Sequence, residues 1–386
     1  MKIPRRQFLK LGAGAAVLPA WPVRRALAQQ ALNPPFVPAT SPSERAAMAQ
    51  LAKAFMQKYD VPALSFAVGY AGSIVHQDAF GLADRENNEA VTPEHLFRVA
   101  SVSKPITSAT VFWLIEQGRI KLTDKVFGPG GVLETAYGQP PYSAGVDQIT
   151  IEHLLTHTAG GWDNHSHDPM FSNPAMNQAE LIEWTLKNRP LDNPPGEHYS
   201  YSNFGYCLLG RVIEKTTGRP YGDYVRDTVL NQSGIKVMKI GGGTLAERLP
   251  GEVKYYTAQG AGDPYSLNPA RMDSHGGWVA RASDIVQFIM HVDGFSRPPN
   301  ILRPQTVQIM TTGSAANPKY AKGWEVRDGN WWHSGSMPGT SAMAVRTHSG
   351  FCWLGVANIR RTDGPINEDL DKLNWAMVQQ VKSWRV

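Results

Sequence analysis

The chain has 386 residues, of which 42% are hydrophobic and 18% charged, a balance that suits a sizeable buried core and excludes a wholly disordered polymer. The formal net charge is +5, yet Lys2, Arg5, Arg6, Lys10, Arg24 and Arg25 crowd the N-terminus; without them the chain is close to neutral, so no nucleic-acid partner is expected. Cys207 and Cys352 lie in apolar patterns with no C-x-x-C spacing, which excludes a metal or redox pair of that type and predicts two separate buried thiols, with a single disulfide as the alternative.

Arg5-Arg6-Gln7-Phe8-Leu9-Lys10 matches a twin-arginine pattern, an apolar run covers 11–20, and Ala26-Leu27-Ala28 is a small-x-small cleavage site. A cationic head, an apolar middle and a cleavage site in that order predict a twin-arginine signal peptide over 1–28. The apolar run is too short to span a bilayer as a mature helix. The expectation is therefore export of a folded chain to the periplasm or the exterior, with no stable membrane span after cleavage. An uncleaved anchor is the alternative. Residues 29–42, rich in Pro, Ala and Asn, read as a leader into the mature domain.

Helical periodicity follows over 43–59, with Ser43 as N-cap. Strand-like runs over 63–70 and 73–80, joined by Ala71-Gly72, predict a hairpin. Residues 101–117 read as one helix ended by Gly118, with Pro105 in its first turns. Further helices are predicted over 150–156 with Thr150 as cap, 177–188, 204–217 ended by Gly218, and 283–291 with Ser283 as cap. The last third changes character: 323–327, 330–333, 341–346 and 351–358 read as short strands, and 367–383 as a closing amphipathic helix.

Strands near both ends and helices in the middle predict an α+β fold, an antiparallel sheet flanked by helices with an inserted mainly helical lobe. A single domain over 29–386 is expected, its α/β lobe at about 43–125 and 275–386 and its helical lobe at about 126–274. No internal repeat or separating linker interrupts it.

Three elements carry chemistry. The first is Ser101-Val102-Ser103-Lys104. A serine hydroxyl needs a base to become a nucleophile. Positions i and i+3 of a helix share a face, so Ser101 and Lys104 point the same way. Burial and neighbouring cations lower an ammonium pKa enough for the amine to accept the serine proton. The second is Tyr201-Ser202-Asn203. A phenol beside an ammonium serves as general base or proton shuttle, and the Asn203 amide is suited to hold both the lysine and a substrate carbonyl. Ser202 or Asn203 also reads as the cap of the next helix. Tyr199 competes for the tyrosine role but lacks the Ser-Asn that follows Tyr201. The third is His333-Ser334-Gly335, followed by Ser336. Glycine there admits close backbone approach, and the backbone N–H groups of Ser101 and Ser336 would pair as an oxyanion hole.

These elements, in this order, resemble the serine β-lactamase and penicillin-binding-protein superfamily. The tyrosine form of the second motif resembles its class C β-lactamase-like branch, which includes D-alanyl-D-alanine carboxypeptidases, D-aminopeptidases, amidases and esterases. Residues 151–161 and Phe97-Arg98-Val99-Ala100 look like stretches of that branch too, and the likeness runs from about 46 to about 358. The resemblance implies a β-lactamase/transpeptidase-like fold and an acyl-enzyme on Ser101. Lys104 and Tyr201 would share the proton transfers, Asn203 would position substrate, and the Ser101 and Ser336 amides would hold the oxyanion. True class C β-lactamases carry lysine where this chain has His333. Histidine titrates near neutrality and is no fixed cation, so the expectation moves from β-lactams toward ester, amide or peptide substrates. A true β-lactamase and a penicillin-binding sensor without turnover are the alternatives.

His153, His157, His165 and His167 form no H-E-x-x-H, so no metal site is expected. Gly241-Gly242-Gly243 lacks the strand–helix context of a phosphate loop, and no cofactor is expected. Residues 335–339 hold only a broken G-x-S-x-G. Trp162, Trp278, Trp324, Trp331 and Trp332 read mostly as core or rim packing; because Trp331 and Trp332 flank the third motif, the alternative is that one of them lines an apolar acyl pocket. Loops over 123–146 and 162–195 are expected to set specificity.

Overall fold

A computed structural model describes residues 36–164 and 168–384. The expected signal peptide, its cleavage site, His165 and His167 lie outside the described residues. Among the described residues no helix is long and apolar enough to cross a membrane.

Helix α1 spans Pro42–Tyr59. Its cap is Ser41, which exchanges a capping box with Glu44. Ser43, the expected cap, falls in the first turn, because Pro42 fits the first helical position with its fixed φ and absent N–H. Strands β1 (Ala63–Tyr70) and β2 (Ser73–Asp84) form the predicted hairpin. Ala71 and Gly72 both hold positive φ, 49° and 83°, as a two-residue hairpin turn requires. Short strands β3 (Glu89–Ala90) and β4 (Phe97–Arg98) follow.

The predicted helix over 101–117 is two elements. One 3-10 turn, Ala100–Val102, precedes α2, Ser103–Glu116. The middle of the chain is largely helical: α3 (Ile151–Leu155), α4 (Pro169–Ser172), α5 (Gln178–Asn188) and α6 (Asn203–Thr217). Thr150, Asn177 and Ser202 cap α3, α5 and α6, and Gly218 ends α6 in the left-handed region. Strand β5 (Lys239–Ile240), helix α7 (Asp273–Gly276), strand β6 (Trp278–Ala280) and helix α8 (Ala282–Met290) lead back to the sheet. Ser283 is not the α8 cap. Arg281 stands there, and its backbone N–H donates to Asp284.

Strands β7 (Glu325–Arg327), β8 (Asn330–Met337), β9 (Thr340–Arg346) and β10 (Phe351–Ala357) and helix α9 (Ile366–Val378) complete the fold. β8 outlasts its predicted end at 333, because Ser334, Gly335 and Ser336 pair with Met343, Ala342 and Ser341 of β9. The seven strands run antiparallel in the order β3-β2-β1-β10-β9-β8-β7. The first and last parts of the chain thus meet at β1 and β10, as expected.

Both sheet faces are covered. Leu64, Phe66 and Val68 of β1 join Trp353 of β10 in a core with α1 and α9. Ala63, Ala67, Leu354 and Val356 face the opposite side and the core of α2, α6 and α8. The alternation is the period of two that a pleated strand imposes. Cys207 and Cys352 are both free and buried. Motif one lies between β4 and α2, motif two at the start of α6, and motif three on β8.

Candidate active site

Ser101 occupies the 3-10 turn that links β4 to α2. Ala100 before it holds φ +48°, a sparsely populated conformation for alanine that surrounding structure must enforce. The enforcement comes from β8. A Cβ built on Gly335 would lie 2.2 Å from the Val99 carbonyl oxygen, so the third motif presses its backbone onto the turn that carries Ser101.

Lys104 stands on the first turn of α2, wholly buried. Its Nζ donates to Ser101 Oγ at 3.0 Å, Asn203 Oδ1 at 2.8 Å and the His275 carbonyl at 3.1 Å. Those three bonds use all the hydrogens of an ammonium. The Nζ also lies 4.8 Å from the Tyr201 ring centre and 5.7 Å from that of Tyr206. Burial pulls the Lys104 ammonium down to about 7, with the charge of Asp168 opposing. The geometry places the expected amine beside the Ser101 hydroxyl, and burial acts on it in the direction that frees the amine to take up a proton.

Burial pushes the Tyr201 phenol well above its ordinary range, with a hydrogen bond to Ser101 pulling the other way. The phenol is therefore protonated at neutral pH. Burial thus acts in opposite directions on the two expected bases, lowering Lys104 and raising Tyr201.

Asn203 opens α6, where Ser202 caps it through Gly205. Its Oδ1 takes the Lys104 bond; its Nδ2 donates to Asn164 Oδ1 and Asp168 Oδ2, both at 2.8 Å. The expected hold on lysine is present. The expected bond to a substrate carbonyl has no amide hydrogen left to make it.

His333 departs from expectation. It is 2% exposed and belongs to a buried relay. The Ser202 N–H donates to His157 Nδ1, which leaves the hydrogen on His157 Nε2 facing Tyr320 Oη at 3.0 Å. Tyr320 in turn lies 3.2 Å from His333 Nε2, and His333 Nδ1 donates to the Ser334 carbonyl at 2.7 Å. Every partner fixes one tautomer along the line. Burial, then Lys104, pulls His333 down to about 3. It does not titrate near neutrality but stays an uncharged strut behind the third motif. His153 and His157 also have other duties than ligation: His153 Nδ1 accepts from the Thr150 N–H, and the His157 ring packs, tilted by 41°, against Tyr201 with ring centres 4.3 Å apart.

Ser101 and Ser336 line one cleft of about 400 Å³ together with Asn164, Asn203, His275 and Arg360. Its apolar wall is Met272, Met337 and Leu267, packed against Ala100, with Phe171 and Pro338 at the rim. Neither Trp331 nor Trp332 lines it, in line with the packing role expected of the tryptophans. Trp331 packs on Trp324 and under Arg346, and Trp332 faces the α1/α9 core, because alternation on β8 sends neighbouring side chains to opposite faces. The loop over 162–195 reaches the cleft through Asn164 and Phe171; none of 123–146 lines it.

The family model for Beta-lactamase matches residues 48–373. The chain belongs to the beta-lactamase family. Among curated members, penicillin-binding protein 4* of Bacillus subtilis is 31% identical over 44% of this chain and 36% of its own length. Penicillin-binding protein 4 of Amycolatopsis lactamdurans is 25% identical over 71% of this chain and 74% of its own. The chain thus spans about a third of the first relative and about three quarters of the second. The solved structure of D-amino acid amidase from Ochrobactrum anthropi SV3 superposes with a TM-score of 0.71 at 21% identity, over 88% of this chain and 99% of that one. The octameric penicillin-binding protein homologue from Pyrococcus abyssi gives 0.70 at 20%, over 86% and 77%. The beta-lactamase family fold is thereby established, and membership supports serine hydrolase chemistry in general.

Within this family member, sequence reasoning missed Asn164, Asp168, His275, Tyr320 and Arg360. Only Asp168 left a local trace, the Asp-Pro pair that opens α4.

Proposed function

We propose that this protein is an exported serine hydrolase that cleaves ester, amide or peptide bonds through an acyl-enzyme on Ser101. The observation that carries the reading is Lys104 Nζ at 3.0 Å from Ser101 Oγ with its pKa brought down to about 7. Neutral Lys104 takes the Ser101 proton as Oγ bonds to the substrate carbonyl carbon. The oxyanion accepts from the Ser101 and Ser336 backbone N–H groups. As the carbonyl reforms, the bond to the leaving group breaks, and that group takes the proton from Lys104 through the Tyr201 hydroxyl. Water then enters by the same steps in reverse order and releases the acid.

Cleft chemistry narrows the substrate. Arg360 is the one cationic side chain among the described lining residues, which include no carboxylate; burial keeps the lining His275 well below its ordinary range and uncharged. A free α-ammonium finds no counter-ion there, so esters and acylated peptides rank above unblocked amino-acid amides. The uncharged His333 favours this reading over a true β-lactamase. Export rests on the pattern of residues 1–28.

The test is a panel of p-nitrophenyl esters, anilides, acylated D-alanyl peptides and nitrocefin, with Ser101→Ala as control. Ester or acyl-peptide turnover that falls at least ~1,000-fold in the variant is expected. Turnover undiminished in Ser101→Ala would overturn the reading, and nitrocefin as the best substrate would restore the β-lactamase alternative.

A further inference from the structure

Asp168 does more than a helix start asks of it. Its Oδ1 accepts from the Met170 N–H at 2.9 Å and so caps α4. Its Oδ2 accepts from Asn203 Nδ2 at 2.8 Å, and Asn203 Oδ1 accepts from Lys104 Nζ at 2.8 Å. Asp168 and Lys104, 5% and 0% exposed, are opposite charges with one amide inserted between them. That amide has a donor end and an acceptor end. Turned over, it would aim its NH2 at the ammonium and its oxygen at the carboxylate, two mismatches in place of two bonds. Capping does not require the charge, since Ser and Asn cap as well. A buried carboxylate with no cation in direct contact among the described residues costs free energy, which sets this residue apart from an ordinary cap.

We propose that Asp168 is a positioning residue of the acyl-transfer site: it fixes which end of the Asn203 amide meets Lys104 and keeps a negative charge one amide away from that ammonium. The same bridge orients Asn164. Because Asn164 Oδ1 is occupied by Asn203, its own NH2 is the group left for a substrate carbonyl in the cleft.

Beside the pair itself, the charged groups near it among the described residues are Asp163 and Arg271; Arg271 donates to the Met170 carbonyl at 2.8 Å and feels the Asp168 charge. Around Lys104 stand the hydroxyl of Ser101, the rings of Tyr201 and Tyr206, and the His275 carbonyl. The imidazoles of His157, His275 and His333 are close enough to feel its charge, and burial keeps all three neutral. Around Asp168, Asp163 opposes ionisation while Lys104, Asn203 and the Met170 N–H favour it. Burial raises the Asp168 carboxyl to about 6. Above that pH it is ionised and holds the proton on Lys104. Removing the charge therefore lets Lys104 lose its proton at lower pH.

The inference rests on the Ser101–Lys104 reading for its meaning, and its test does not need turnover. Asp168→Asn keeps an oxygen for the cap, removes the charge and turns an NH2 toward Asn203. Asp168→Ser keeps the cap and removes both; it serves if the first variant folds poorly. Carbon-13 NMR of the lysine ε carbons in the full chain, assigned with Lys104→Met, follows Lys104 directly. The expected result is a Lys104 midpoint lower by about one unit in both variants, with the acid limb of Ser101 acylation moving down by the same amount. A midpoint within ~0.2 unit of the wild type in both variants would overturn the proposal and leave Asp168 as a cap. A shifted midpoint in a protein that acylates nothing would support the bridge and count against the hydrolase reading instead.

Discussion

Ser101 and Lys104 are three positions apart in the chain, and a helix makes that adjacency almost automatic. In the proposed mechanism, what makes the pair reactive is the shell around Lys104. Tyr201, Tyr206, His157 and His333 are uncharged groups that replace water around the ammonium, and the lysine falls to about 7. The sign of the pH effect follows. In the proposed mechanism only neutral Lys104 accepts the serine proton, so the rate should be low below its pKa and rise as pH increases through it. For a neutral ester, log kcat/KM should climb between about pH 5 and 7 with a slope below one, because Asp168 ionises in the same range and holds the Lys104 proton as it does so, and level off above. Tyr201 adds no limb there, because its phenol stays protonated. A profile flat from pH 5 to 8, measured under conditions where the fold is intact, would contradict the role of Lys104. Ser101, Lys104, Tyr201 and the Ser202 cap were legible because each motif is local. Asp168, Asn164, His275, Tyr320 and Arg360 were not, because loops and the fold bring them to the site, and no spacing in the chain encodes that approach. His333 was legible as a position but not as a state: its neutrality comes from burial and from Tyr320, thirteen residues upstream.

At the scale of elements, the contact that matters is β8 against the turn before α2. Gly335 leaves 2.2 Å between a would-be Cβ and the Val99 oxygen, a separation no side chain tolerates. Gly335→Ala must therefore push β8 away from the turn or flatten the positive φ of Ala100. Either shift moves Ser336 relative to Ser101. The variant should keep its far-ultraviolet dichroism, lose roughly 1–3 kcal/mol in urea unfolding, and acylate at least ~100-fold more slowly, as removal of one oxyanion donor does. Wild-type acylation in Gly335→Ala would show that this contact does not set the site. Periodicity found six of the seven strands of the large sheet, all but the two-residue β3, and most helices, since burial on one face leaves its period in the sequence. It misplaced caps where a rarer residue took the position: Pro42 shifted the α1 cap to Ser41, and Arg281 stands where Ser283 was expected. It also merged the Ala100–Val102 turn with α2, because an alanine at positive φ carries no compositional mark.

At the scale of the molecule, the chain ends build the sheet and the middle supplies the opposing wall, so the site forms only where the two meet. Lys104 reports that meeting: α2 carries it, α6 receives it through Asn203, and α7 receives it through the His275 carbonyl. The three ordered motifs made this arrangement readable in advance. Cleft composition was not readable, because the Met272–Met337–Leu267 wall joins residues far apart in the chain. The measurement that bears most directly on the whole account is intact-protein mass spectrometry of the full chain, mixed with an activated acyl ester near pH 8 and quenched in acid within milliseconds to seconds. The account predicts one acyl increment, transient, mapped by proteolysis to Ser101, absent in Ser101→Ala and formed far more slowly in Lys104→Met. Hydrolysis that proceeds with no adduct, or with the adduct on another residue, would contradict it.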